Sequence, residues 1–429
     1  MCRDTDFPPM SLDIYATPGA KIKVTGTNPL IYTWRVDSPV KEQQEHNRFI
    51  EDSRDLWDEF QRLAIKERSM RSASEAERKA LRTKSDSISS IINQRELKLM
   101  KELPISNVWM EKLLRLSMSL KYNSRFTNKE EILALYDRLN EEQKASIEGQ
   151  EIRVNLFPPK TVKEGDDMAD ADLFDLDGKV HHLADFKGKY MLLDFWSSGC
   201  GPCIMALPEM KEIQEQYKDR LTIISLSSDT QTRWKAASTQ HEMTWQNLSD
   251  LKQTAGLYAV YDVNGIPNYV LISPKGIIVK MWSGYGKGSL KLKMRRYLDA
   301  PKREMSITGD TNRKVVNYPS FESTNTDILE VKQVELTDTA TIVHFYAYYI
   351  PKYWIQVSVN AKLVDEQGTS YTLQKADGIT PGKHFFLPES GEAEFSLTFK
   401  PLPLKTKSFN FTEGTAKNDW QINGIKLTR

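Results

Sequence analysis

The feature that most constrains the fold of this chain is a pair of cysteines, Cys200 and Cys203, separated by two residues. The apolar run Tyr190–Leu193 before them predicts a buried strand, and the apolar segment Ile204–Met210 after them predicts a helix. Pro202 suits the first helical turn, where its missing N–H has no partner to lose. The pair is therefore predicted to lie at a strand-to-helix turn, with Cys200 at the N-terminal end of the helix.

This position has a chemical consequence for the two thiols. The first N–H groups of a helix lack backbone partners and the helix dipole is positive there, so both favour a thiolate over a thiol. Cysteines in such turns have pKa values lowered from about 8.5 to about 7 or less. We therefore expect Cys200 to be the attacking thiolate. Cys203, one turn further into the helix, should be more buried and should resolve the mixed disulfide.

Three other roles for the cysteine pair remain open but are weaker. A zinc site needs two more ligands, and the only other cysteine is Cys2, while the six histidines are scattered along the chain. A purely structural disulfide would close so short a loop that it gains little chain entropy. In a peroxiredoxin the reactive cysteine follows a Ser or Thr by three residues in a proline-rich loop. Ser197 fits that spacing, but the loop is missing and the cysteine has a near partner.

The surrounding sequence closely resembles the thioredoxin superfamily. Asp194-Phe195-Trp196 is followed after three residues by Cys-Gly-Pro-Cys, and Pro208 matches the proline that kinks the helix of this family. The cis-proline of the family is matched by Pro267, which precedes the apolar run Tyr269–Ile272. Within the superfamily the TlpA/ResA-type thiol-disulfide oxidoreductases are most similar, because residues 173–179 predict an extra hairpin with an Asp-Gly turn. The resemblance covers about residues 156–300.

The resemblance implies a set of site residues and no bound cofactor or metal beyond a redox-active disulfide between Cys200 and Cys203. Asp194 matches the buried acid that takes and returns the proton of the inner cysteine, and the cis peptide at Pro267 would pair with an extended substrate chain. The implied catalytic residues are thus Cys200, Cys203, Asp194 and Pro267. The implied substrate-binding residues are Gly201, Pro202, Trp196 and Ile266.

Composition limits the classes of partner. A net charge of +1 over 429 residues gives no basic excess, which argues against binding to nucleic acid or to an anionic membrane surface. The sequence has no apolar run of 18 residues and no recognisable secretory signal. Cys2 is either the acylated cysteine of a lipoprotein or an ordinary terminal thiol, and the second alternative is favoured about two to one.

The fold class expected for the whole chain is multidomain α/β. A thioredoxin-like domain, a central mixed sheet flanked by helices, is preceded by an α-helical region and followed by an antiparallel β-sandwich. The expected divisions are a partial and truncated β domain at 1–38, the helical region at 39–155, the redox domain at 156–300, a linker at 301–327 and the β-sandwich at 328–429.

A different sequence pattern supports each of these divisions. In the helical region, apolar residues recur at helical spacing and Ser72-Ala73-Ser74-Glu75 predicts a capping box at the start of a long helix. Residues 301–327 are polar and show no periodicity. From Ile328 the apolar residues alternate with polar ones, and turn signals such as Asp377-Gly378 separate the runs, which predicts short antiparallel strands.

Two functional hypotheses follow. In the first, the chain is an enzyme of a Gram-negative cell envelope or periplasm, lipid-anchored if Cys2 is acylated, that exchanges thiols and disulfides with protein substrates and receives electrons from a membrane or envelope donor. The Gly-Pro dipeptide between the cysteines matches reducing thioredoxins, so reduction is favoured over oxidation. In the second, the chain is an envelope scaffold whose C-terminal β domain, with its aromatic cluster Tyr346–Trp354, recognises a partner and whose dithiol is auxiliary.

Overall fold

The computed structural model describes residues 12–26, 30–70, 74–123, 125–298, 304–414, 416 and 418–428, which form two compact units. Unit 1 comprises the described parts of Met1–Leu183 together with Ser227–Lys235 and Leu248–Asn264. Unit 2 comprises Ala184–Leu226, Ala236–Asn247 and the described parts of Gly265–Arg429. The hypothesis of an acylated Cys2 concerns a position outside the described residues.

Helices and strands are numbered in chain order. The α-helices are α1 (Lys41–Asp52), α2 (Arg54–Ser69), α3 (Glu75–Glu102), α4 (Asn107–Tyr122), α5 (Lys129–Tyr136), α6 (Glu141–Ala145), α7 (Ile147–Leu156), α8 (Gly201–Tyr217), α9 (Gln231–Gln240), α10 (Leu257–Val260) and α11 (Ser289–Leu298). The first nine strands are β1 (Lys23–Thr25), β2 (Arg35–Asp37), β3 (Leu173–Phe174), β4 (Val180–His181), β5 (Tyr190–Trp196), β6 (Leu221–Ser227), β7 (Gln246–Leu248), β8 (Asn268–Ile272) and β9 (Ile278–Ser283). The remaining strands are β10 (Ser306–Gly309), β11 (Arg313–Asn317), β12 (Ser323–Thr324), β13 (Leu329–Thr337), β14 (Thr341–Tyr348), β15 (Trp354–Ile355), β16 (Lys362–Asp365), β17 (Ser370–Asp377), β18 (Phe385–Phe386), β19 (Glu392–Phe399), β20 (Ser408–Thr412) and β21 (Gln421–Lys426).

In unit 1, helices α1 to α7 occupy the region where the sequence predicts helices. Side chains such as Phe49, Trp109 and Leu113 are fully buried in a shared apolar cluster, which is where these amphipathic helices gain most of their stability. The long helix α3 begins two residues later than the predicted capping box. The Ser74 side chain accepts the N–H of Glu77, and the Glu77 carboxylate accepts the N–H of Ser74.

The strands predicted near the N-terminus are only partly present. Residues 12–22 contain no strand, and β1 pairs antiparallel with β2 in a two-stranded sheet. The hairpin of β3 and β4 lies where the resemblance placed it. The N–H of Gly178 donates to the carbonyl of Asp175, and Gly178 has the positive φ that such a turn needs.

Unit 2 contains most of a five-stranded sheet in the order β7-β6-β5-β8-β9. Strand β5 is buried along nearly its whole length and pairs antiparallel with β8, which pairs antiparallel with β9. Helices α8 and α11 cover one face, where Leu192, Met210, Tyr269 and Leu290 pack in a single apolar cluster. The sheet therefore provides a rigid base from which the loop after β5 leaves.

The C-terminal part of unit 2 is an antiparallel sheet of ten strands in the order β10-β11-β13-β14-β19-β17-β16-β20-β21-β12. Its strands alternate buried and half-buried residues, as the period of two predicts, and the buried side chains form one apolar cluster. Each strand is hydrogen-bonded to its neighbour in this order, so the ten strands are connected edge to edge. The finer expectation of a two-sheet sandwich stays a prediction.

The linker expected at 301–327 is not what the structure shows there. Its described residues contain β10, β11 and β12, three strands of the ten-stranded sheet. These strands are two to five residues long and only Val316 among their side chains is buried. So short and polar a segment cannot show a detectable period of two, and its structure depends on pairing with β13 and β21.

The ten-stranded sheet is joined to the five-stranded sheet through charged contacts within unit 2. The carboxylate of Asp327 accepts hydrogen bonds from Lys280 of β9 at 2.6 Å and from Lys293 of α11 at 3.0 Å. Arg295 of α11 pairs with Glu392 and lies over the ring of Tyr348.

Among the described residues, every helix is too short or too polar to cross a lipid bilayer.

Candidate active site

The cysteine turn lies between the end of β5 at Trp196 and the start of α8 at Gly201. Cys200 occupies the N-cap position with an extended backbone, and its Sγ accepts the N–H of Cys203 at 3.1 Å. The N–H of Cys200 donates to the carbonyl of Ser197, which closes the turn. The helix thus directs a backbone N–H group of its first turn at the sulfur of Cys200, an arrangement that stabilises negative charge on that atom.

Cys200 and Cys203 are joined by a disulfide with their Cα atoms 5.2 Å apart. Cys200 is 8% exposed and Cys203 is 3% exposed, so the outer sulfur is the more accessible one, although both are largely buried in the disulfide state. Gly201 and Pro202, between them, are exposed. An incoming thiol would therefore meet Cys200 first.

Pro267 lies at the same end of the sheet as the cysteine turn. Phe195 pairs with Asn268 across β5 and β8, so the next positions along the two strands bring Trp196 opposite Pro267. The Ile266–Pro267 bond is cis, Pro267 is buried, and Ile266 is half-buried. The carbonyl of Pro267 accepts the N–H of Gly284.

Asp194 is buried beneath this turn at the centre of the sheet. Its Oδ2 accepts the hydroxyl of Ser225 at 2.7 Å, and the Ser225 oxygen in turn accepts the indole N–H of Trp245 at 2.8 Å. Burial raises the pKa of Asp194 from 3.8 to about 7, and the Ser225 hydrogen bond opposes part of that rise. A carboxyl group that titrates near neutral pH can both accept and release a proton under working conditions.

Glu209 is another buried acid on this face and it has a structural role. Its carboxylate accepts the backbone N–H of Gly288 at 2.8 Å and of Lys291 at 3.0 Å, which satisfies donors at the start of α11. Partial burial and the charge of Glu209 raise the pKa of Tyr285, which hydrogen-bonds that carboxylate, to about 12. Helix α8, which begins at the dithiol, is thereby fixed to α11.

The two chain segments that carry the cysteine turn and the cis-proline contain no charged side chains. No charged residue occurs between Phe195 and Pro208 or between Val263 and Pro274, in a chain where 27% of residues are charged. Met205, two positions after Cys203, is 68% exposed. The sequence-based site omitted Met205, although an apolar residue on the solvent side of an otherwise amphipathic helix is a detectable signal.

The structure departs from the expected site at Trp196. This side chain is only 1% exposed because β5 is covered on both faces, so it lies beneath the surface that a substrate would contact. Ser225 and Tyr269 were also missed from sequence. Each is an ordinary strand residue whose position next to Asp194 depends on which strands pair.

No group of three or more His, Cys, Asp or Glu side chains within the described ranges is arranged to hold a metal ion.

A known protein family matches the segment that contains the cysteine turn and the cis-proline. The sequence profile of the AhpC/TSA family matches residues 165–281. The thioredoxin-like protein YneN of Bacillus subtilis (strain 168) is 31% identical over 121 residues, which are 27% of this chain and 69% of that protein. The thiol-disulfide oxidoreductase ResA of Geobacillus thermodenitrificans (strain NG80-2) is 31% identical over 139 residues, 32% of this chain and 79% of that protein.

Among solved structures, the thioredoxin domain of a thiol-disulfide oxidoreductase from Bacteroides vulgatus is 28% identical and covers 32% of this chain and 99% of that chain, with a TM-score of 0.30. The two sequence relatives are each matched over more than two thirds of their own length. A cysteine pair at a strand-to-helix turn, a cis-proline at the same end of the sheet and the two sequence relatives lead to one conclusion: the chain belongs to the thioredoxin-like thiol-disulfide oxidoreductase family that includes ResA.

Proposed function

We propose that this protein reduces disulfides in other proteins by thiol-disulfide exchange, using Cys200 and Cys203 as its redox couple. The observation that supports this best is the position of the disulfide at the N-cap of α8, with the N–H of Cys203 directed at the sulfur of Cys200. The same N–H would stabilise the Cys200 thiolate in the dithiol form.

In the proposed reaction the dithiol form acts first. The Cys200 thiolate attacks one sulfur of a substrate disulfide, a Cys200–substrate bond forms, and the other substrate sulfur leaves as a thiolate. The Asp194 carboxylate then accepts the proton of the Cys203 thiol. The Cys203 thiolate attacks Cys200, restores the Cys200–Cys203 disulfide and releases the second substrate thiolate. Two electrons pass from the cysteine pair to the substrate.

Substrate contacts are proposed at the exposed rim of the turn. Gly201, Pro202 and Met205 are accessible on α8, and Ile266 presents its half-buried side chain beside the cis peptide of Pro267. These groups are uncharged, so they suit an extended substrate segment with small or apolar residues next to its cysteine. Because Trp196 is buried, we assign it to support of the turn rather than to direct contact.

The setting we propose is the periplasm or cell envelope, as the TlpA/ResA-type resemblance implies, with a lipid anchor at Cys2 as a further hypothesis. A dithiol donor of the membrane or envelope would regenerate the reduced couple, and no other cofactor is required. The Gly-Pro dipeptide supports reduction over oxidation. We place the redox domain at 156–300, a helical region at 39–155 before it and a β domain after it.

A scaffold function is the alternative. It is motivated by the exposed aromatic side chains Tyr353, Trp354 and Phe386 on the C-terminal β domain, which could contact an envelope partner. The names of the sequence relatives describe redox proteins, which favours the enzyme. The match to the AhpC/TSA family also keeps the peroxiredoxin alternative in view. Consumption of hydrogen peroxide by Cys200 would be a different reaction from disulfide reduction, so peroxide consumption is measured as a control.

The test is an insulin-reduction assay with dithiothreitol as the electron source and three matched variants. The Cys200→Ser variant should lose activity to the uncatalysed rate, and Cys203→Ser should lose turnover while accumulating a covalent adduct with the substrate. The Cys2→Ser variant should keep full activity. Equal activity of Cys200→Ser and the unmodified chain, or peroxide consumption that exceeds insulin reduction, would end the proposal.

A further inference from the structure

A row of hydrogen-bonding side chains crosses the five-stranded sheet beneath the dithiol. Tyr269 pairs directly with Asp194 across β5 and β8, so both side chains project from the same face of the sheet. The Cβ atoms of such opposite residues are about 5 Å apart. Ser225 lies on the other side of Asp194 and already donates to it.

The hydroxyl of Tyr269 stands out in this row because it is fully buried and no atom of the described residues is its hydrogen-bond partner. Its ring is held by stacking on Trp282, the residue opposite it on β9, with the centroids 5.5 Å apart. A buried hydroxyl without a partner is costly, and a phenylalanine would fill the same space without that cost. The hydroxyl thus has an unused donor at a fixed position.

The titratable groups around this hydroxyl are few. From its own sheet Asp194 faces it, and from α8 and the segment after β9 come Glu209 and Tyr285. Glu209 is already occupied by the N–H groups of Gly288 and Lys291 and by Tyr285. Asp194 is the acid whose charge must change during the proposed reaction.

We propose that Tyr269 is a positioning residue that donates its hydroxyl to the Asp194 carboxylate when that group is ionised, and so holds it ready to accept the proton of Cys203. This inference rests on the proposed function of the dithiol. The hydroxyl remains protonated throughout, because burial and the neighbouring Asp194 charge raise the pKa of Tyr269 far above its usual range. Asp194 would then be stabilised from two sides, by Ser225 and by Tyr269.

The experiment measures the titration of Asp194 directly in the full chain. The dithiol form is labelled with ¹³C at the aspartate carboxyl groups, and the Asp194 signal is identified by its loss in Asp194→Asn. The Tyr269→Phe variant, which keeps the ring and its stacking, should move the titration midpoint of Asp194 upward by about one pH unit. Ser225→Ala should move it in the same direction. Tyr217→Phe, which removes another buried hydroxyl from the same apolar cluster, should leave it unchanged.

The rate of mixed-disulfide resolution supplies the second readout. With Tyr269→Phe, release of the substrate thiol should slow about tenfold on the acid side of the midpoint and recover at higher pH, because only the ionised fraction of Asp194 changes. In an Asp194→Asn background the Tyr269→Phe substitution should have no further effect. A rate loss that is equal at every pH would indicate a packing role and overturn the inference.

Two further outcomes are decisive. An Asp194 midpoint that is the same in Tyr269→Phe and in the unmodified chain overturns the inference even if the protein proves to be a reductase. If Tyr269→Phe does not fold, site-specific 3-fluorotyrosine at position 269 replaces it, and its more acidic hydroxyl should lower the midpoint. The proposed function fails separately, when Cys200→Ser still reduces insulin, and that result leaves the titration of Asp194 unaffected.

Discussion

The burial of Asp194 makes a quantitative prediction about stability and pH. Its pKa is about 7 in the folded disulfide form and 3.8 in the absence of burial. The folded state therefore holds the proton more tightly than the unfolded state does. The stabilisation that comes from this proton is fully present below about pH 3.8 and is lost as the pH rises to about 7 and beyond.

The magnitude follows from the same two values. They differ by about three pH units, each worth about 1.4 kcal/mol, so ionised Asp194 costs the folded state about 4 kcal/mol at pH 8. The Asp194→Asn variant cannot ionise. Its free energy of unfolding should equal or fall slightly below that of the unmodified protein at pH 4, and should exceed it by up to about 4 kcal/mol at pH 8.

The assay is urea unfolding of the disulfide form at several pH values, followed by pulse proteolysis. Peptides from β5 and β8 are quantified by mass spectrometry, so that unfolding of this sheet is separated from unfolding of the helical region. Asp262→Asn is the matched control, since its side chain is 55% exposed and pairs with Lys121 at the surface. A stability difference between Asp194→Asn and the unmodified chain that is the same at pH 4 and pH 8 would refute the reasoning.

Three further predictions follow from exposed or half-buried contacts. Replacing Met205 with Glu should lower the second-order rate constant for a protein substrate about tenfold and leave the reaction with a small disulfide unchanged. The control is Met118→Glu at another exposed methionine, which should change neither rate. Replacing Asp327 with Ala leaves the half-buried side chains of Lys280 and Lys293 without the carboxylate they share. The free energy of unfolding of unit 2, measured by urea titration, should fall by about 2 kcal/mol. The Asp338→Ala variant, at an exposed position, should leave it unchanged. Replacing Ser74 with Ala should cost about 1 kcal/mol, seen as faster amide exchange in the first turns of α3, with Ser87→Ala as the control within the same helix.

The redox turn could be predicted because its signals are local. A strand, a helix start and a Cys-X-X-Cys pair lie within about twenty residues, and each is recognised by residue type and spacing. The start of α3 shows the limit of such local signals. Two overlapping capping boxes are present in the sequence, one from Ser72 to Glu75 and one from Ser74 to Glu77, and the structure uses the second. Residue spacing alone does not distinguish them.

The surroundings of Asp194 depend on long-range pairing and were therefore invisible to sequence reasoning. Ser225 reaches Asp194 because β6 lies beside β5, and Tyr269 reaches it because β8 pairs in a register that sets Tyr269 opposite. A shift of that register by one residue would turn the Tyr269 side chain to the other face of the sheet. The strands β10 to β12 escaped prediction for the same reason, since they are formed by their partners rather than by their own composition.

The contacts of α11 decide how the scaffold alternative can be tested. Glu209 fixes α11 to the helix that begins at the dithiol, and Asp327 and Glu392 of the C-terminal region pair with Lys293 and Arg295 of the same helix. Removing the C-terminal sheet would leave these cations unpaired and disturb the redox sheet itself. A loss of activity after such a deletion would therefore say nothing about partner recognition.

Substitutions of the exposed aromatic side chains of the C-terminal β domain separate the two functions. Trp354 and Phe386 pair across the separate two-stranded sheet of β15 and β18, and neither belongs to the apolar cluster of the ten-stranded sheet. Replacing both by Ala removes the stacking of Trp354 on His384 but leaves that cluster intact. If the C-terminal β domain selects protein substrates, the double variant should lower the rate constant for an envelope protein while insulin reduction stays constant. An unchanged rate for both substrates would leave the cysteine turn and its uncharged rim as the whole basis of recognition.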